Sequence, residues 1–224
     1  MEIADRLEGI VSGIVDDLTT KNRIRDATLQ RSRELIRYCA NSIRATHRRD
    51  YATAEQLLAQ AKEAAARMRD DAASYGDVYH AGYTQDALKE LAEAAVTLAV
   101  VTGQPLPAPD EIEVEHAAYL NGIGEAAGEL RRFALDSIRR GEIDGAEALL
   151  AVMDEIYGQL VTIDFPDALT GGLRRTTDMV RGVTERTRGD LTTAARQEKL
   201  QEALRRFERR LAIDGADRAE GASG

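Results

Sequence analysis

Apolar positions recur every three to four residues along most of this chain, with polar and charged residues between them. This is the repeat of helices that turn one face to a core. A first helix is predicted from near Ile3 to about His47, with a weak point around Thr19 to Lys21, ending before an Arg48–Asp50 turn. A second spans roughly Tyr51 to Ser74. A third starts after Gly76 or Gly82 and stops at Gly103, where GQPLPAPD puts three prolines into a loop. The fourth covers about Asp110 to Arg140 and is closed by Gly141 after two arginines. A fifth runs from Asp144 to about Val161, and DFPDALTGG breaks the chain. A sixth continues to about Arg188, closed by Gly189, and a seventh runs from Thr192 to Leu211. The pattern predicts an all-α, single-domain antiparallel bundle over residues 1–211. The small, polar tail, 212–224, is expected to be disordered.

One internal echo supports stacked helical hairpins. RYCANSIRATHRRDYATAEQLLAQ, from Arg37, and RRFALDSIRRGEIDGAEALLAVM, from Arg131, share a helix ending in S-I-R, a turn, and a second helix with A-E-x-L-L-A. A single pair does not make a solenoid.

Composition narrows the class. At 224 residues the chain can bury one sizeable core, and aromatics make up only 4% of it. No run of alternating β-branched residues reads as a long strand. No apolar stretch approaches the 18 or more residues of a membrane span, and MEIADRLEGI has neither the basic nor the apolar region of a signal peptide. A cytoplasmic protein is expected. The lone Cys39 has no intramolecular disulfide partner and is read as a packing residue. Cys/His zinc spacings, Gly-rich phosphate loops and nucleophile elbows are absent from the sequence. His47, His80 and His116 sit near helix ends without ligand spacing and are expected to face solvent, with His80 near enough to the acidic segment to touch a nucleic acid.

The carboxylates carry the chemical signal. In LAEAAVTLAVV, from Leu91 to Val101, Glu93 is the sole charge, with Glu90 just before the run. In AAYLNGIGEAAGEL, from Ala117 to Leu130, the only charges are Glu125 and Glu129. Spacings of three and four place each pair on one helix face. Four such groups converging from two helices repel one another unless a cation sits between them, and a hard divalent ion suits oxygen ligands. The competing reading is a solvated face with arginine partners. Gly122, Gly124 and Gly128 lie among these residues and permit close approach of a helix or a nucleic-acid backbone.

Net charge is −9, yet the segment from Lys21 to Arg49 holds nine Lys or Arg against Asp26 and Glu34. Arg37 and Arg44 belong to this basic stretch, which on composition alone suits the wet face of an amphipathic helix before it suits an anionic partner. Arg174, Arg181 and Arg188 follow at seven-residue intervals. They form a nearly straight row that drifts by about 20° per step and is able to track a phosphate backbone. Ion pairs with neighbouring helices are the alternative.

YLNGIGEAAGELRRFALDSIRRGE, then LLAVMDEIYGQL, then DFPDALTGGLRRTTDMVRGVTERTRGDLT together resemble the translin superfamily in its shorter archaeal form. The resemblance spans roughly residues 20 to 210 and is strongest from Tyr119 to Leu191. It implies a seven-helix nucleic-acid-binding fold assembled into a closed homo-oligomer, an octamer being one such assembly. Trax-type members are metal-dependent endoribonucleases for single-stranded RNA, whereas translin-type members bind nucleic acid without the full acidic set. LKELAEA, with Glu90 and Glu93, and GEAAGEL, with Glu125 and Glu129, look like the two acidic elements of the Trax type. Glu125 stands where Asp is usual, one methylene longer. The resemblance thus implies Mg²⁺ or Mn²⁺ held by Glu90, Glu93, Glu125 and Glu129, with catalysis at the same residues. It leaves two rivals: a non-catalytic binder of single-stranded RNA or DNA, and a helical scaffold for a protein partner.

Overall fold

A computed structural model describes residues 2–221, with side chains described for residues 2–210. Eight helices are present among them, and no strand. They are α1 (Glu2–His47), α2 (Tyr51–Ala72), α3 (Gly76–Tyr79), α4 (Gly82–Thr102), α5 (His116–Arg140), α6 (Ile143–Leu160), α7 (Asp167–Thr170) and α8 (Leu173–Gly221). None is long and apolar enough to cross a membrane.

Three boundaries depart from the sequence reading. No interruption falls at Thr19–Lys21, because the Thr19 and Thr20 hydroxyls donate back to the carbonyls of Val15 and Asp16 within a continuous helix. The predicted stop at Gly189 is likewise crossed, since α8 runs through it with no left-handed residue. In contrast, the fourth helix begins later than Asp110. Residues 104–115 form a loop that sends Ile112 and Val114 into the core, and Tyr119 Oη donates to the Pro107 carbonyl at 2.7 Å. Over residues 212–221, expected to be disordered, α8 continues as helix, while residues 222–224 lie outside the described residues, as do all side chains from residue 211 onward.

The two echoing segments are indeed hairpins, α1–α2 and α5–α6. Asp50 caps α2 by accepting from the Thr53 amide, and Arg49 donates to Glu142 at 2.9 Å, joining the two hairpin turns. Each hairpin carries a third helix, α4 on the first and α8 on the second. One core contains Leu35, Cys39, Met68, Leu88 and Leu91; the other contains Leu130, Met153, Leu160 and Val180. The α4–α5 pair joins the two groups. Its helices are antiparallel, since Gly122 meets Ala92 while Glu125 meets Lys89.

Two amphipathic segments keep their apolar stripes outside these cores. Ile3, Leu7, Ile10, Ile14 and Leu18 of α1, and Leu200, Leu204 and Phe207 of α8, are all more than half exposed.

Candidate metal centre

Close contact between α4 and α5 creates the site. A Cβ placed on Gly122 would stand 2.6 Å from the Ala92 Cβ and 2.7 Å from the Lys89 carbonyl oxygen, so only glycine allows the two backbones to approach this closely. Gly124 serves the opposite neighbour, with Thr176 of α8 against it, while Gly128 has open space beside it.

Across this contact, Glu90 and Glu93 of α4 meet Glu125 of α5, each offering an oxygen within 4.8 Å of the others. Lys89 Nζ donates to Glu125 Oε1 at 2.7 Å. Burial, and then its three carboxylate neighbours, push the Glu93 carboxyl up to about 8. Glu90 is also raised, by burial first and by Glu125 second. Beneath them the buried Cys39 thiol is pushed up by burial and by Glu90 and Glu93, which keeps it an unreactive packing residue.

The fourth carboxylate faces elsewhere. Glu129 bonds to His47 Nε2, and this contact, opposed by burial, holds the Glu129 carboxyl below its ordinary range. The His47 side chain is only 5% exposed and stacks on Phe133, with ring centroids 4.2 Å apart. Its expected solvent exposure is therefore corrected: the end of α1 packs against α5, and the imidazole fills that contact. His80 and His116 are exposed, as expected.

His47 and Lys89 were the partners missed in the sequence. Lys89 directly precedes Glu90, but nothing local marks it as reaching another helix. His47 is 82 residues from Glu129, and no spacing rule spans that separation.

The predicted arginines occupy the outside. Arg37, Arg44, Arg174 and Arg181 are exposed and make no ion pair among the described residues, although Arg44 donates to Asn41 and Arg37 lies over the Tyr38 ring. Arg188 is tied to Asp154 of α6 at 2.5 Å and to Glu185 at 3.7 Å.

The raised Glu93 carboxyl sets a pH dependence. An unfolded chain releases this proton near 4.5, the folded protein near 8, so between those values each rise in pH favours unfolding. The melting temperature of the metal-free protein is expected to fall as pH rises from about 5 to about 8. Scanning calorimetry should show that fall flattened in Glu93→Gln and in wild-type protein with saturating Mn²⁺.

An all-helical pair of hairpins with a carboxylate cluster at the α4–α5 contact is the class defined by fold and site. The chain belongs to the translin superfamily. AfC3PO is 33% identical and superposes with a TM-score of 0.77, covering 83% of this chain and 96% of that one. The structure described as AfC3PO with duplex RNA is 34% identical with a TM-score of 0.74 over the same shares. Apo-NeC3PO, at 20% identity and a TM-score of 0.75 over 82% and 96% of the two chains, shares the fold. An uncharacterized protein of Methanocaldococcus jannaschii is 26% identical over 198 residues, 87% of each chain. No family model matches the sequence.

Proposed function

We propose that the protein is a Trax-like, metal-dependent endoribonuclease that cleaves single-stranded RNA within a closed homo-oligomer. The observation that carries this reading is the convergence of Glu90, Glu93 and Glu125 within ligand distance of one another, in a setting whose burial and neighbouring carboxylates push the Glu93 carboxyl up to about 8. AfC3PO, a relative described in complex with duplex RNA, supports RNA as the ligand class.

The donor set fits Mg²⁺ or Mn²⁺, which take carboxylate oxygens and keep several waters. When bound, such an ion supplies an acidified water and offsets the charge developing at phosphorus. Glu90, Glu93 and Glu125 would hold it, and the Lys89 ammonium, 2.7 Å from Glu125 Oε1, would stand beside the bound phosphate. Glu129, kept ionised by its bond to His47, would add its negative charge beside these three ligands. His47→Ala should then weaken Mn²⁺ binding or slow cleavage by about 10–100-fold, the usual cost of losing an orienting partner. Titration calorimetry and single-turnover rates on the same variant measure the two effects separately.

Exposed Arg37, Arg44, Arg174 and Arg181 supply the diffuse positive charge that holds the rest of the strand. The apolar stripes of α1 and α8 supply the surface on which copies assemble. A non-catalytic, translin-like RNA- or DNA-binding protein is the second reading, favoured by the Lys89–Glu125 bond, which already neutralises one ligand. Incubation of labelled single-stranded RNA with Mg²⁺, Mn²⁺ or chelator decides between them. Metal-dependent cleavage supports the nuclease; salt-sensitive binding with intact RNA in every condition supports the binder.

A further inference from the structure

Beside the carboxylates lies a groove of about 1060 Å³ that the acidic motif gave no hint of. Its walls include Glu125 and Lys89 together with Arg175, Thr176 and Met179 of α8, and His80 and His116. Sites of about 300–1,000 Å³ hold a drug-sized molecule, so this one has room for a nucleotide. The starts of α4 and α5, at Gly82 and His116, and Gly172 just before α8 all border it, and neither α4 nor α5 has a side-chain cap at that end. Helix starts carry partial positive charge and thus add to the cationic side chains here.

Arg175 is the decisive residue. It is exposed and makes no ion pair among the described residues, in contrast to Arg188. At about 100° per residue, Arg175, Thr176 and Met179 share a face of α8 roughly opposite the row of Arg174, Arg181 and Arg188. The row therefore lies on another side of α8, whereas Arg175 lines the same groove as Lys89 and Glu125. Asp86 on the same walls, and Glu115, whose Oε1 already accepts from Tyr79 Oη, offer carboxylate oxygens to hydroxyl and amino groups, which a ribonucleoside supplies and an inorganic anion does not.

We propose that this groove seats the nucleotide next to the scissile phosphate of a single-stranded RNA, with the neighbouring backbone phosphate on Arg175. The choice of RNA rests on the nuclease reading; the location rests on the groove. One strand enters at the α7–α8 turn, where Gly171 and Gly172 adopt φ of 60° and 82° and place little side-chain bulk in its path, and leads to Glu125.

The test uses a fluorescein-labelled oligouridylate carrying one 4-thiouridine, in EDTA so that it stays intact. Photocrosslinks are expected on the segment from Ala168 to Met179. Arg175→Ala should weaken binding about tenfold and lower the slope of log affinity against log salt by about 0.7, the loss of one phosphate contact on a single strand. Arg175→Lys should retain most of the affinity, and Arg139→Ala, on an exposed arginine paired with Asp136, should leave the crosslink position unchanged. Crosslinks confined to other surfaces, with Arg175→Ala binding as wild type, would overturn the assignment even if the RNA is cut when metal is added. Groove crosslinks and an Arg175 effect without cleavage in Mg²⁺ or Mn²⁺ would uphold the groove and remove the nuclease. Failure of the wild-type protein to retain the oligonucleotide at low salt would overturn both.

Discussion

Glu93→Gln is expected to lower the single-turnover rate of metal-dependent RNA cleavage by on the order of 10³-fold, since several kcal/mol of charge stabilisation depend on the ion and each 1.36 kcal/mol is worth tenfold. Gln keeps the size of the side chain but removes the ionised oxygen that a hard cation needs. Glu93 is the position where this change is most informative, because burial and then three other carboxylates raise its proton affinity and an ion must displace that proton to bind. Wild-type protein should therefore release about one proton per ion at pH 7, and the variant almost none from this position. Calorimetry in buffers of different ionisation enthalpy counts that proton, and rates on labelled RNA measure the loss of cleavage. The variant should fold at least as stably as wild type in the absence of metal, since it no longer buries a group that must charge as pH rises. Metal-dependent cleavage surviving at wild-type rate in a folded Glu93→Gln protein would remove Glu93 from the active centre.

Gly122→Ala is the second change expected to have a large effect, and it works through the backbone. The added methyl would meet the Ala92 Cβ at 2.6 Å, the Lys89 carbonyl at 2.7 Å and the Glu93 amide at 3.1 Å. None of these is the end of a flexible side chain, so α4 and α5 must separate. Overpacking of this kind costs about 1–3 kcal/mol, which for a chain of this size corresponds to several degrees in Tm. It also carries Glu90 and Glu93 away from Glu125, so Mn²⁺ affinity should fall along with stability. Gly128→Ala provides the contrast. Nothing lies within 4 Å of its Cβ position, and Ala in a helix interior is favoured over Gly by about 0.5–1 kcal/mol. Thermal melts and Mn²⁺ titrations of the two variants should therefore move in opposite directions in stability.

The helical class, the hairpins and the Glu-x-x-Glu and Glu-x-x-x-Glu pairs were legible in the sequence because they depend on short-range periodicity. A repeat near 3.6 residues, Gly141 in the left-handed conformation at the end of α5, and three prolines after Gly103 act within a turn or two of chain. The same locality explains the errors. Gly189 and the Thr19–Lys21 segment have weak helix propensity, yet glycine and threonine cost at most about 1 kcal/mol each in a helix, and their neighbours carry the helix through. The late start of α5 was decided by burial of Ile112 and Val114, a tertiary gain that no local rule contains.

At the site, sequence alone determined which carboxylates share a helix face, and tertiary structure alone decided which of them come within ligand distance of one another. Glu90, Glu93 and Glu125 converge because Gly122 lets α4 and α5 touch, whereas Glu129, four residues from Glu125, is turned to His47 at the end of α1. The orientation of Arg175 towards the groove, the Lys89–Glu125 bond and the burial of His47 are all contacts between residues more than 30 positions apart or products of how α8 is rotated against α5. Side-chain periodicity fixes direction within one helix; where that direction points depends on packing against the others.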